Sequence, residues 1–336
     1  MKKFCFLVSF TLFCMIGMLS CVAACESLKE DAPLPLVLHP LTLNGSFSGI
    51  VNNTVIDVEY KQSPEVVAEL CCPAEYREYV VVSVVEGELR LSLKEGLDNS
   101  TQNKVSRMLR DSKLFITAPE LAKIKVNGSS AFTVMTDLRA DNLDVILNGS
   151  GDIYFNGVQC AGNASHLKVQ VNGSGDVVFQ REVKVESVDM QVNGSGDIDF
   201  AIITSRTVGA QVNGSGDIEA DEVISVSSDL SVNGSGDMSM KKVLLSQASV
   251  SVNGSGDVVL QGECEKVDYS LINSGDISAK NLVAQDVSAL VSGSGDIVCN
   301  AQRALTVRVV GSGSVHYRGN PQITYQSKSD NVYQIK

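Results

Sequence analysis

Gln191-Val192-Asn193-Gly194-Ser195-Gly196-Asp197-Ile198-Asp199-Phe200 is followed twenty residues later by Gln211-Val212-Asn213-Gly214-Ser215-Gly216-Asp217-Ile218-Glu219-Ala220. The same turn starts at Asn127, Asn148, Asn172, Asn193, Asn213, Asn233, Asn253 and Asn273, and Ser292 and Val310 hold its station in the last two copies. The intervals are 21, 24, 21, 20, 20, 20, 20, 19 and 18 residues. A near-constant period of this length marks a solenoid in which each unit buries its apolar face on its neighbours.

The residues around the turn settle the secondary structure. One and three positions before the Asn stand pairs such as Val169 and Val171, Met190 and Val192, or Leu230 and Val232, with Gln170, Gln191 or Ser231 between them. Past the Asp the alternation resumes with Ile153, Val177, Ile198, Ile218, Met238, Val258, Ile277 and Ile297. Period-two alternation is strand. Helix is a poor alternative, because Gly recurring in every copy, two in most, would break it. Two positions further on come Phe155, Phe179 and Phe200, then the smaller Ala220, Met240, Leu260, Ala279 and Cys299, so the core is expected to narrow along the axis. Val183, Val223, Val243 and Leu282 supply a third face. The predicted fold is all-β, a parallel β-solenoid with coils of about 20 residues, and ten coils at strand spacing make a rod of roughly 50 Å.

Composition agrees. Apolar residues make up 44% of the 336, aromatics only 5%, and Trp is absent, so the core is built of Val, Ile and Leu, which suit pleated surfaces. Net charge is -12. That excludes nucleic acid as a partner, since binding it rests on neutralising phosphates with Lys and Arg.

Residues 1–24 read as an export signal: Lys2 and Lys3, an apolar run from Phe4 to Leu19, then small residues, with an apolar core too short to span a membrane. Val22-Ala23-Ala24-Cys25 resembles a bacterial lipobox, in which Cys25 takes the lipid, with Cys21 as the weaker competitor and a plain secretory signal as the alternative. Two or three acyl chains anchor stably where one does not. Residues 25–40, with Pro33, Pro35 and Pro40, are read as a tether. Residues 41–120 are strand-rich but irregular and are read as the first coils and the cap that covers an open solenoid end. Asn44-Gly45-Ser46 is a candidate earlier station of the turn, and 96–111 is either a polar loop or a short helix. The regular repeat and its C-terminal cap occupy 121–336.

Five Cys lie beyond the signal and the lipid site: Cys71, Cys72, Cys160, Cys264 and Cys299. An odd number at irregular spacing fits neither a disulfide framework nor a zinc site.

Each turn residue has a local reason. Asn tolerates the left-handed region, Gly supplies positive φ, and Asp or Ser bonds nearby amides. Stacked Asn148, Asn172, Asn193, Asn213, Asn233 and Asn253 can bond to one another up the column. The Asp residues need more. Asp152, Asp176, Asp197, Asp217, Asp237, Asp257, Asp276 and Asp296 stack one strand apart, and each neighbouring pair repels by roughly 1 kcal/mol in water-like dielectric. Amides of the glycine turn or a column of calcium ions would offset this. The turn half resembles the Gly-Gly-x-Gly-x-Asp of calcium-binding RTX repeats, but the period differs. The turn at Asn273, reading Asn273-Ser274-Gly275-Asp276, lacks a Gly and is expected to bend the ladder or open one Asp.

No catalytic residues are assigned. His39, His166 and His316 fall in different units, and a uniform Asp column lacks the local exception that a catalytic pair would be, although its spacing approaches that of a retaining glycosidase.

With these residues in hand, the chain resembles the GIN domain, the auto-transporter adhesin head family of Bacteroidetes lipoproteins and secreted proteins. The resemblance covers about 41–336 and is carried by Leu114-Phe115-Ile116-Thr117-Ala118-Pro119-Glu120-Leu121, by the Gly-Ser-Gly-Asp turns, and by Gly311-Ser312-Gly313-Ser314-Val315-His316-Tyr317-Arg318-Gly319-Asn320-Pro321. It implies a right-handed β-helix at the surface or in the periplasm, with no known enzyme activity and no established ligand. No barrel-forming segment follows before Lys336, so anchoring is expected to fall to the lipid.

The functional expectation is a non-enzymatic outer-membrane lipoprotein, facing the cell exterior rather than the periplasm, that displays the β-helix for adhesion to a protein, matrix or glycan. A structural spacer without a ligand is the alternative, and a polysaccharide-active enzyme the third.

Overall fold

In the computed structural model, residues 34–159, 165–326 and 329–336 are described. Cys21, Cys25, the export signal and Cys160 lie outside them.

The two alternating runs form two walls of a parallel stack. Before the turn, Val169, Met190, Ala210, Leu230 and Val250 are in register from coil to coil, as are Val171, Val192, Val212, Val232 and Val252. Past the turn, Ile153, Val177, Ile198, Ile218, Met238 and Val258 form a column that runs on through Ile277 and Ile297 to Val315. All of these are buried. Val183, Ile203, Val223 and Val243 line the third wall.

Identical in-register side chains must stack on themselves. Phe155, Phe179 and Phe200 do so with ring centroids 4.5 and 4.3 Å apart and planes 7° and 9° from parallel. The core does not simply narrow after them. Tyr269 takes the inward position that Val250 holds one coil earlier. It is buried, and burial pushes its phenol well above the ordinary range, with Cys299 and Cys264 as its electrostatic neighbours. The wall before the turn thus carries a large ring while the wall past it carries the small Ala279 and Cys299, all buried.

The N-terminal coils are stacked out of sequence order. Gly49–Asn52 lies between Glu88–Leu93 and Lys123–Val126, and Asp57–Gln62 lies between Lys113–Ala118 and Phe132–Val134. The chain lays one coil, runs outward to build the coil before it, and then crosses back to continue. In that outer coil the corner is a helix, Asn99–Met108, which settles the choice left open over 96–111. Asp98 caps it by accepting the Thr101 amide at 3.0 Å, and Val105 and Leu109 turn into the core. Two antiparallel additions cover this end: Leu36–Pro40 on Val67–Pro73 on Lys113–Ala118, and Val80–Val85 on Glu88–Leu93. The segment read as a tether is therefore already strand at Leu36.

Candidate functional site

The corner that defines the repeat is built from two side-chain ladders and the backbone bonds that run beside them. Asn127 Nδ2 donates to Asn53 Oδ1 at 2.5 Å, and Asn148, Asn172, Asn193, Asn213 and Asn233 each donate to the Asn one coil below at 2.7–3.1 Å. Asn253 accepts from Asn273 at 2.9 Å. The station before Asn127 is therefore Asn53, with Thr54 beneath Gly128, and not Asn44. Asn53-Thr54-Val55-Ile56-Asp57 keeps only the first and last residues of the motif, which hid it.

Apart from Gly311, at φ 137°, the corner glycines are required by proximity rather than by positive φ. A Cβ on Gly149, Gly173, Gly194 or Gly214 would lie 1.8–2.0 Å from the carbonyl oxygen of the glycine one coil below. The Ser amides complete the contact by donating to those carbonyls, as Ser174 does to Gly149 at 3.0 Å.

One copy escapes this rule. Asn273 pairs with Gly254 below and Gly293 above, so it occupies the glycine slot while Ile272 takes the Asn column. It does so at φ 80°, in the left-handed region that Asn tolerates best after Gly. The shortened turn opens nothing: Asp276 still donates its amide to Asp257, and Asp296 to Asp276, both at 2.8 Å.

Those bonds belong to the Asp ladder. Each Asp Oδ1 accepts the backbone amide of the Asp in the next coil, from Asp152 through Asp176, Asp197, Asp217, Asp237 and Asp257 to Asp276, at 2.7–3.0 Å. The offsetting donors are thus the amides of the Asp residues themselves. Ala131 interrupts the column below: its amide bonds Asp57 at 2.8 Å, but it offers no carboxylate upward. At the top Asp296 accepts both the amide and the hydroxyl of Ser314, at 2.8 and 2.7 Å. Ser314 Oγ is also 2.9 Å from His316 Nε2. The hydroxyl proton is directed to the carboxylate, whereas a nucleophilic triad needs His between Ser and Asp. Among the described residues no three His, Cys, Asp or Glu side chains converge as a metal-ligand set.

Beside the ladder, Asp199 and Glu219 are adjacent in register on the outward side. Burial, and then the charge of Glu219, push the Asp199 carboxyl up to about 6. Burial also raises Asp197 against the amide of Asp217. The remaining His residues are separate. His166 Nδ1 meets Ser187 Oγ at 2.8 Å, and His39 lies on the N-terminal edge strand. Cys71 and Cys72 are successive residues of one strand, one half-exposed and the other buried, and with Cys264 and Cys299 they are free thiols. Burial pushes Cys264 up to about 11 and Cys299 up to about 12.

The side walls carry what the corner does not. On the wall before the turn, the outward column reads Asp144, Lys168, Asp189, Gly209, Asp229, Ser249 and Asp268. Parallel to it run Gln170, Gln191, Gln211 and Ser231, with Gln170 Nε2 donating to Gln191 Oε1 at 3.3 Å. At Gly209 the missing side chain opens a shallow groove of about 380 Å³ lined by Lys168, Asp189, Gln191, Gln211, Asp229 and Ser231. Sequence reading passed over Gly209, although a glycine inside a strand is itself a signal of close approach or of a gap.

Among the described residues no helix is long and apolar enough to cross a membrane. The chain is similar to a crystal structure from Parabacteroides distasonis ATCC 8503 named a "putative lipid binding protein", at 19% identity over 90% of this chain and 97% of that one, with a TM-score of 0.37. It is similar to a "putative adhesin" from Bacteroides fragilis NCTC 9343 at 21% identity, covering 89% and 97%, with a TM-score of 0.31. A "putative adhesin" from Parabacteroides distasonis ATCC 8503 shares 20% identity over 90% and 98%, with a TM-score of 0.40. No curated protein matches the chain. The family described as "putative auto-transporter adhesin, head GIN domain" matches residues 46–229 and 220–321, and the chain belongs to it.

Proposed function

We propose that the protein is an exported cell-envelope lipoprotein that works by contact rather than by catalysis. Acylated Cys25, with Cys21 as the alternative acceptor, holds it to the outer membrane, and the side walls of the solenoid face the exterior as an adhesive surface for a glycan or protein.

The observation that carries this reading is a division of labour around the coil. At the corner the Asn amides, the glycine carbonyls and the Asp carboxylates are committed to the neighbouring coil. The outward columns of the walls vary from coil to coil and meet solvent. A rigid stack of that kind presents a long surface whose side chains are held at fixed spacing. Membership of an adhesin-head family supports the same reading.

The test has two arms. Metabolic labelling with a palmitate analogue should mark the wild type and Cys21→Ala but not Cys25→Ala, and protease added to intact cells should remove the solenoid. The full chain should then bind members of a matrix-protein and glycan panel. Protection from protease together with a blank panel would favour the spacer, and release of reducing or unsaturated ends from polysaccharide would show an enzyme.

A further inference from the structure

The groove at Gly209 rests on the reading of the walls as contact surface and gives it a specific site. Coils below and above place Lys168, Asp189, Asp229 or Ser249 at this position. Glycine here weakens the strand relative to any of them. The close backbone packing that explains the corner glycines is absent. The nearest atom to a Cβ on Gly209 would be Asp189 Oδ1 at 2.5 Å, the tip of a side chain, with the nearest backbone atom at 3.9 Å. Folding does not require a glycine at this position.

What the glycine creates is a floor with polar walls. Asp189 and Asp229 stand two coils apart, about 10 Å at the usual strand spacing. Gln191 and Gln211 run along one side, each with an amide that both donates and accepts. Lys168 stands at the end beyond Asp189. Asp189 leans over Gly209 from the coil below, with its Oδ2 3.6 Å from His166 Nε2. The cavity falls within the size range of small-ligand sites.

We infer that this groove binds a neutral saccharide, with one sugar ring seated over Gly209 and its vicinal hydroxyls bonded to Gln191, Gln211 and Asp189. Each hydroxyl donates one bond and accepts others, which matches a mixture of amides and carboxylates. Two carboxylates against one lysine select against sulfated or phosphorylated ligands. The bare backbone of Gly209 leaves a flat floor for the less polar face of the ring.

Calorimetric titration of the full chain with maltohexaose, cellohexaose and mannohexaose tests this, with a heparin hexasaccharide as the acidic comparator. At least one neutral hexasaccharide should bind and heparin should not. Gly209→Ser, which restores the side chain found at Ser249, should weaken binding by about tenfold or more while the melting temperature holds or rises. Gln191→Ala and Gln211→Ala should each weaken it several-fold, and they serve as the second test if Gly209→Ser folds poorly. Failure of all three neutral sugars to bind, preference for heparin, or binding untouched by these substitutions would overturn the inference. Adhesion to a matrix protein that survives Gly209→Ser would leave the broader reading standing and remove only the groove. Sugar binding through Gly209 in a chain that protease cannot reach on intact cells would do the reverse.

Discussion

The repeat and the N-terminal coils solve one problem by two routes. In the repeat each coil rests on residues about twenty positions away, and the corners from Asn148 to Asp257 share the same glycines and the same two ladders. In the N-terminal coils the corresponding rung, Asn127 on Asn53, spans 74 residues, and the neighbouring corners are a turn without glycine and a capped helix. Charge divides along the same line. Residues 34–126 carry ten Lys and Arg against twelve Asp and Glu, while residues 127–336 carry fourteen against twenty-four. A repeated corner makes the stack locally specified, whereas the cap must be specified by single residues. Contacts of long sequence separation also cost more loop-closure entropy before they are rewarded.

The largest expected effect breaks the repeat at its corner. In Gly173→Ala the new methyl would lie 1.8 Å from the Gly149 carbonyl oxygen. Relief requires the coils to separate, and a loss of more than about 4 kcal/mol or outright failure to fold is expected in denaturant melts. The control is Gly96→Ala in the N-terminal region. There the φ of 81° is the only cost, since nothing lies within 4 Å of the new atom, and about 1 kcal/mol is expected. Equal losses at the two sites would mean that the corner is softer than its packing suggests.

Next in size comes the residue that pins the inserted coil. Asn52 is fully buried. Its Nδ2 donates to Ile56 O at 2.7 Å and Ser130 Oγ at 2.8 Å, and its Oδ1 accepts from the amide and hydroxyl of Thr54. Asn52→Ala leaves buried groups unpaired and should cost about 2–4 kcal/mol. Asn193→Ala removes one exposed rung of a ladder open to water and should cost about 0.5–1 kcal/mol. Chemical denaturation of the pair measures the difference between a unique lock and a repeated one.

How much of this could be read from the chain follows the same division. Strand register, inward columns and the third wall were legible in 127–315, because period two within a period of about twenty leaves little freedom. The coil at 49–62 was not, since its spatial neighbours at 88–93 and 123–126 are remote in sequence. The station at Asn53 shares only two residues with the motif, whereas Asn44-Gly45-Ser46 matches it in three without occupying the corner. Asn273 misled for the opposite reason. It keeps the letter of the Asn column but the place of the glycine, and only pairing with Gly254 and Gly293 reveals it. At the groove, Gln191 and Gln211 were visible as spacers between apolar residues, but a gap is a property of what surrounds it.

A smaller effect concerns acid. The Asp199 carboxyl is raised by burial and by Glu219 to about 6, so the folded chain holds a proton more tightly than the unfolded chain. Stability contributed here is therefore lost as pH rises from the ordinary carboxylate range through 6, and regained on acidification. Asp199→Asn should stabilise the protein at pH 7 by about 1 kcal/mol once solvent screening is counted. The gain should vanish near pH 4. Greater stability of the wild type at neutral pH would show that Asp199 makes a compensating contact when ionised.

The smallest expected effect is none at all, from calcium. A calcium ion takes six to eight oxygen ligands, and each ladder carboxylate already commits Oδ1 to the amide of the next coil. One remaining oxygen per coil is a poor set for such an ion, and the amides already do the work that cations would otherwise do against repulsion in the column. Thermal melts in millimolar calcium and in chelator should therefore superimpose. The comparison is sensitive, because a site in the folded state holding calcium at a hundredfold excess over its dissociation constant would add about 2.7 kcal/mol. A higher midpoint in calcium that disappears in Asp217→Asn would place ions on the column and return the acidic turn of the repeat to the list of binding motifs.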